Sequence, residues 1–356
     1  DEILKRLDRT MHDAADAMEY ERAARVRDQI TSVRKAIERQ QMVASREEDF
    51  DLLGLEEDPL EASVQVFYVR RGRVVVARTM RRKAAIDRLN SGSVVPNEIL
   101  VCIPRDEQDR AARLTAPNVR LVVTAFRGQV AQRAAGFAQA IHPYVMQLDD
   151  DMLVDMHCVA RLLDVVAKES PNVAVAPALL CNPGGESFYR TPENRTLLSL
   201  YYWLLNGSRG YAPGTITKAG TNIGVDPERQ TQDTMEVEWV PGGCLMHRRE
   251  NLILDNFYPY TGKAYCEDLF HSFHLRRTGV RLLVCASARC YLDNASVLDG
   301  TMDLAGFLRF LRADARARRY LLRLGARRTP RMYFYYLVML MRFLFGRSKR
   351  LMGSTT

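Results

Sequence analysis

At 356 residues, with 47% hydrophobic and 26% charged residues, the chain has the make-up of a globular protein with a substantial core, which excludes a disordered or fibrous chain. The formal net charge of +8 admits polyanions or anionic lipid as partners, but excess charge alone selects none. Seven cysteines with no CxxC pair argue for reduced, buried thiols in a cytosolic protein rather than a zinc site or disulfide framework, and no apolar run reaches the length of a membrane span.

The chain starts at Asp1 rather than at a methionine, so its first residues are not read for targeting. Residues 1–48 are highly charged and helical in pattern. Leu4, Leu7, Met11, Ala14 and Met18 recur at spacings of three and four, as do Ile30, Val33 and Ile37. The phase slips near Glu19-Tyr20, which predicts a helical hairpin. Residues 49–75 read as a linker and strand segment.

From Val74 the rhythm alternates strand and helix. Strands are predicted at Val74–Ala77, Glu98–Ile103, Val119–Val123, Tyr144–Leu148 and Val173–Ala176, with helices over 80–90 and 128–140. That alternation predicts an α/β fold, a mostly parallel sheet with helices on both faces. The strand Tyr144–Leu148 ends in Asp149-Asp150-Asp151. Carboxylates delivered to a strand end stand at the crevice where open α/β sheets bind ligands. An oxygen-only set suits Mg²⁺ or Mn²⁺, which lean on one or two carboxylates plus substrate phosphates. An acidic turn facing water is the plainer reading of such a triplet.

Residues 181–234 carry scattered glycines and the cluster Tyr201-Tyr202-Trp203, as a substrate loop or a surface excursion would. Next, Trp239-Val240-Pro241-Gly242-Gly243 interrupts a strand where backbone can approach a ligand closely. Glu267-Asp268 then open a helix closed by Arg276-Arg277 and Gly279, a charge order that dipole matching alone also satisfies. Residues 301–356 read as a basic, partly apolar helical tail, with ten apolar or aromatic residues from Met332 to Met341 between Arg331 and Arg342. The tail is either a packing element or an interfacial helix lying on anionic lipid.

Two resemblances add to these readings. Ala14-Ala15, Glu19–Ala24 and Arg27–Ile30 resemble the UVR motif of bacterial excision-repair proteins, and residues 45–51 and 62–75 resemble the UvrC segment leading into its nuclease domain. That likeness covers residues 1–75, implies a UvrB-like partner through residues 1–43, and carries no catalytic residue. In order, Arg127–Gly136, Asp149–Asp151, Gly242-Gly243 and Glu267-Asp268 resemble the landmarks of inverting GT-A glycosyltransferases of family 2, over about residues 76–295. The resemblance implies a GT-A domain at 76–300 using a nucleotide-diphosphate sugar, with Mn²⁺ or Mg²⁺ held by Asp149 and Asp151. It implies donor contacts from Asp150, Arg78, Gln129, Gln132 and Arg133, a substrate loop at Trp239, Gly242 and Gly243, and Asp268 as base with Glu267 as its orienter or substitute.

The family's base-contacting Pro-Thr-Tyr-like segment is replaced here by Ala77-Arg78-Thr79, at the seam between the two likenesses. Its histidine after the last strand has no counterpart in Cys290–Asn294. The implied acceptor is a glycan or a lipid-linked molecule in cell-envelope or surface glycan synthesis. The expected location is the cytoplasm, with peripheral contact at the inner membrane face through residues 331–350, and no direct nucleic-acid binding is expected. A different class of reading is a repair-associated UvrB-docking fusion, or a chimeric reading frame, with the transferase domain incidental.

Overall fold

A computed structural model describes residues 50–57, 62–70, 73–74, 78–111, 114–182, 185–191, 196–293, 304–325 and 329–352. The chain divides into two compact units, residues 1–80 and 81–356. In the first, β1 (Phe50–Glu57), β2 (Ala62–Arg70) and β3 (Arg73–Val74) form an antiparallel sheet. The predicted hairpin of residues 1–48 lies outside the described residues. Val74 pairs with Val69 of β2, and helix α1 (Arg78–Asn90) begins four residues later. Of the strand predicted at Val74–Ala77, Val74 lies in β3 and residues 75–77 lie outside the described residues.

The second unit holds a two-stranded parallel sheet and a six-stranded mixed sheet. The first pairs β4 (Ile99–Pro104) with β5 (Val119–Thr124), followed in the chain by α3 (Gln129–Gln139); a four-residue turn of helix, α2 (Gln108–Ala111), lies between β4 and β5. The second runs β6 (Tyr144–Leu148), β10 (Cys244–Arg248), β8 (Val173–Asn182), β11 (Arg281–Asp293), β7 (Met152–Val154), with β9 (Thr234–Val237) also paired to β11. Only β8 and β11 run parallel within it. The sheet is thus mixed rather than mostly parallel, because β10 returns antiparallel between β6 and β8 and β11 serves β7 and β9 on antiparallel edges.

Side-chain alternation explains how helices cover both faces. Val173, Val175 and Leu179 of β8, Cys244 and Met246 of β10, and Leu283 and Cys285 of β11 pack with Leu162 and Val166. Those last two belong to α4 (Cys158–Lys168), whose buried Cys158, Val159, Leu162 and Val166 form one helical stripe. The intervening Ala174, Ala176, Leu245, Leu282 and Val284 turn to the other face, where they meet Leu275 of α6 (Glu267–Arg277). Strand β8 is buried over eight consecutive residues, as a central strand covered on both sides must be.

Two long helices close the described chain, α7 (Leu304–Leu324) and α8 (Pro330–Met352). Met332 and Tyr336 of α8 are buried against Leu322 of α7, and Phe307 stacks on Phe343 at 3.9 Å between centroids. Arg331 donates to the carbonyl oxygen of Trp203 at 3.0 Å and also to that of Leu204, near the end of α5 (Thr196–Asn206). One face of the tail is therefore a packing element. Tyr333, Leu337, Met341 and Leu344 on α8 stay exposed, as do Leu197, Leu200 and Trp203 on α5. Among the described residues no helix is long and apolar enough to cross a membrane.

Candidate active site

Register places the acidic triplet beside the glycine pair. Leu148 pairs with Cys244 across β6 and β10, so the next residue, Asp149, meets Gly243, and its amide donates to the Gly243 carbonyl at 2.8 Å. The chain then turns, with the Met152 amide donating to the Asp149 carbonyl at 3.2 Å, and enters β7. Asp149, Asp150 and Asp151 are all half-buried in that turn.

Helix α3 faces the triplet. Gly128, at φ +133°, turns the chain into the helix in a conformation that side chains rarely adopt. Gln129 and Arg133, four residues apart, then share one face. Gln129 Nε2 donates to Asp149 Oδ2 at 3.0 Å, and Arg133 Nη2 to Asp149 Oδ1 at 3.1 Å. The other terminal nitrogen, Arg133 Nη1, donates to Glu267 Oε2 at 2.9 Å. Gln132 makes no hydrogen bond to the triplet among the described residues. Arg133 is thus a bridge between two carboxylates 118 residues apart in the chain, rather than a side chain held ready for a donor phosphate. Burial works against its charge, but Glu267 and Asp149 outweigh that and hold it firmly protonated.

Asp150 is directed elsewhere. Arg82 of α1 places Nε 3.4 Å from Asp150 Oδ2 and Nη1 3.0 Å from Glu107 Oε2, in the turn after β4. This arginine carried no motif and was not predicted. The side chain of Arg78, at the first residue of α1, is not described.

Glu267 and Asp268 open α6 behind the triplet. Glu267 is buried, and a Cβ placed on Gly242 would stand 2.5 Å from its Oε1. Gly242 is therefore needed for close approach of backbone to a carboxylate, not for a positive φ. Burial raises the Glu267 carboxyl above its ordinary range, although Arg133 opposes this. Asp268 is half-buried and accepts from the Leu269 amide at 3.0 Å. Burial first, then the neighbouring Glu267, pushes its carboxyl up to about 7, with Arg318 of α7 pulling the other way. The Tyr189 phenol stands near enough that burial, and then Asp268, raise it as well. Neither Tyr189 nor Arg318 carries a sequence signal, since both reach the site from distant segments.

Trp239 is corrected from substrate loop to core. It is 2% exposed, its indole Nε1 donates to the Ile223 carbonyl at 2.9 Å, and Tyr189 packs edge-on at 5.7 Å between centroids. Burial of so large a ring with its one donor satisfied explains the placement. His271 is packed too, 1% exposed and stacked on Phe257. Beside it His247 is fully buried, its imidazole pushed down to about 3 by burial and then by Arg133, so a neutral histidine pair backs the bridge. A cavity of about 550 Å³ lies at the other end of α6, against Arg209, Glu238, Arg276 and Arg281, away from this chemistry.

Among the described residues no three His, Cys, Asp or Glu side chains converge as a preformed metal cage. The triplet still offers the hard carboxylate oxygens that Mg²⁺ and Mn²⁺ take, in the small number these ions need when phosphates complete the shell. Asp149 accepts at one oxygen from Gln129 and at the other from Arg133.

Comparison with known proteins agrees with both halves of the sequence. Residues 1–36 match the UvrB/uvrC motif, and residues 105–225 match glycosyl transferase family 2, a span that includes the triplet and α3 but ends before Gly242 and Glu267. The chain is similar to the UvrABC system protein C of Parafrankia sp. (strain EAN1pec) and of Streptomyces coelicolor, each 54% identical over 71 residues. Those alignments take in 20% of this chain and 10% of the relatives, so the chain spans about a tenth of their length. A solved structure of GalNAc-T7 with UDP, GalNAc and Mn²⁺ aligns at 16% identity and a TM-score of 0.39, over 61% of this chain and 42% of that one. Two family models thus match separate stretches of one chain, the UvrB/uvrC motif at residues 1–36 and glycosyl transferase family 2 at residues 105–225.

Proposed function

We propose that this chain is a metal-dependent transferase that moves a sugar from a nucleoside diphosphate to an acceptor hydroxyl with inversion at the anomeric carbon. The carrying observation is the Arg133 bridge, which puts the strand-end carboxylate of Asp149 and that of Glu267, the neighbour of Asp268, on one guanidinium. Asp151, with Asp149, would hold Mn²⁺ or Mg²⁺, which supplies charge neutralisation at the leaving diphosphate. Asp268 takes the proton of the acceptor hydroxyl as the new C–O bond forms at the anomeric carbon. The bond to phosphate breaks, and its electron pair leaves on the nucleoside diphosphate. A single displacement needs no second carboxylate as nucleophile. Gln129 and Arg133 fix Asp149, and Glu267 holds Arg133 in place. The expected result for Asp151→Asn is loss of Mn²⁺-stimulated turnover across a panel of nucleotide sugars; unchanged turnover and metal response would overturn the assignment.

An acceptor in surface or envelope glycan synthesis fits the exposed stripe Tyr333, Leu337, Met341 and Leu344, with Arg342 beside it, as a surface for anionic lipid. Co-sedimentation with phosphatidylglycerol vesicles and not with phosphatidylcholine vesicles is expected, and Leu337→Glu should reduce it; equal recovery with both lipids would remove that part of the reading. The UVR match favours a second role, docking of residues 1–43 to a UvrB-type partner. The full chain should retain UvrB on a column and a chain lacking residues 1–48 should not, while both turn over donor equally.

A further inference from the structure

Cys266, immediately before Glu267 and Asp268, is the one residue other than glycine with positive φ among the described residues, at φ +57° and ψ +24°. A side chain there costs free energy that something must repay. The residue also starts the helix: its carbonyl accepts from the Leu269 amide at 3.0 Å and the Phe270 amide at 3.2 Å. Its own side chain does not cap the helix but turns away, and the thiol donates to Asp314 Oδ1 of α7 at 3.1 Å.

Asp314 belongs to a buried network of the C-terminal helices. Asp314 is 7% exposed and Arg318 is 5% exposed. Arg318 Nη2 lies 3.2 Å from Asp314 Oδ2, and its Nε donates to the Tyr336 hydroxyl at 3.1 Å. The Tyr336 hydroxyl donates in turn to Asp314 Oδ2, and Arg318 Nη1 donates to the Gly220 carbonyl. Gly220 is itself at φ +78°, in the glycine-bearing segment before β9, where a Cβ would meet Leu322 at 3.0 Å. One buried ion pair therefore ties α7 and α8 to a loop and to the residue that opens the catalytic helix. Buried pairs are a poor source of net stability against an apolar replacement, so a structural role alone accounts weakly for this one.

We propose that Asp314, Arg318 and Tyr336 are positioning residues that hold Cys266 in its left-handed conformation and so fix where Glu267 and Asp268 stand. The C-terminal helices are then part of the catalytic apparatus without touching substrate. This rests on the transferase reading of Asp268.

The device predicts a specific rescue. Asp314→Asn weakens the hold on Cys266 and should lower kcat about tenfold, the size expected from releasing a left-handed residue, with donor KM little changed. Tyr336→Phe removes one bond to Asp314 and should lower kcat less, which keeps a test open if Asp314→Asn folds poorly. Cys266→Gly needs no holding and should stay near wild-type. Added to either variant, Cys266→Gly should restore most of the lost kcat, whereas Cys266→Ala should not. Equal failure of the Gly and Ala double variants, or full activity in Asp314→Asn, would overturn the proposal. Hydrogen exchange at the Leu269 and Phe270 amides reads the same geometry without turnover: faster in Asp314→Asn and slowed again by Cys266→Gly. If wild-type turns over no nucleotide sugar, the transferase reading fails, while this exchange pattern still decides the positioning of residue 266.

Discussion

Replacing Asp268 by asparagine is expected to lower kcat by about 10²- to 10⁴-fold, the usual range for removing a general base. The wild-type rate should rise with pH through about 7, where burial and Glu267 place the Asp268 carboxyl, and the residual rate of Asp268→Asn should lack that limb. Stability should move in the opposite sense. A carboxyl whose folded pKa is raised binds its proton more tightly in the native state. Its contribution is therefore fully present below the unfolded value near 4 and is lost as pH rises through about 7. Asp268→Asn carries no such loss, so it should melt above wild-type at pH 8, by a margin that narrows at pH 5 and closes only below about pH 4. The ceiling is about 2–4 kcal/mol for a shift of roughly three pKa units on a half-buried group. Thermal melts of both proteins at pH 5, 6, 7 and 8 check the second limb independently of catalysis. A flat rate profile between pH 6 and 8 together with parallel melting curves would remove Asp268 from the role of base.

The pairing of raised stability with lost activity is informative because ordinary packing damage lowers both. It also separates Asp268 from Glu267. Glu267 has a cation bonded directly to it, whereas Asp268 is met by backbone amides, that of Leu269 and its own, with Arg318 farther off. Of two adjacent carboxylates, the one without a bonded cation is better suited to accept a proton, and the bonded one to hold a guanidinium still.

Much of the α/β unit could be read from residues. Strand Tyr144–Leu148 and helix Glu267–Arg277 carry local signals, a short apolar run ending in carboxylates and an acid-to-base charge order before Gly279, and the structure has both. The mixed sheet was not readable, because periodicity does not give direction: β10 looks the same whether it runs with β6 or against it. Trp239 lies close to Gly242 in sequence, yet its ring turns into the core to Tyr189 and Ile223, a direction that local pattern does not carry. The Arg133 bridge was invisible for another reason. Its partners Asp149 and Glu267 lie 16 and 134 residues away, and only the register of β6 on β10 brings them together. The same holds for Cys266 and Asp314, where the α7 sequence reads as one more arginine-rich helix.

That bridge is where substitution should cost the most stability. In Arg133→Met the side-chain volume stays close, but the buried Glu267 and the half-buried Asp149 lose their shared cation. Removing one partner of a buried pair costs about 3–5 kcal/mol, because the charge left behind remains desolvated. Against a domain stability of about 5–15 kcal/mol, this should lower Tm by many degrees. The loss should shrink as pH falls. Without Arg133 nothing opposes the desolvation that already raises Glu267, so its folded pKa climbs further. A raised carboxyl recovers stability as it protonates, so Arg133→Met should approach wild-type between pH 8 and pH 5. Arg133→Met/Glu267→Gln should recover part of the loss at pH 8, since glutamine leaves no charge in the pocket. Donor turnover should stay low in both, because Asp149 has lost one of its two hydrogen-bond donors and the acidic turn its link to α6. Scanning calorimetry of the four proteins in this cycle at both pH values measures the coupling directly. Independent, additive losses for the two positions would show that the guanidinium does not join the two halves of the site.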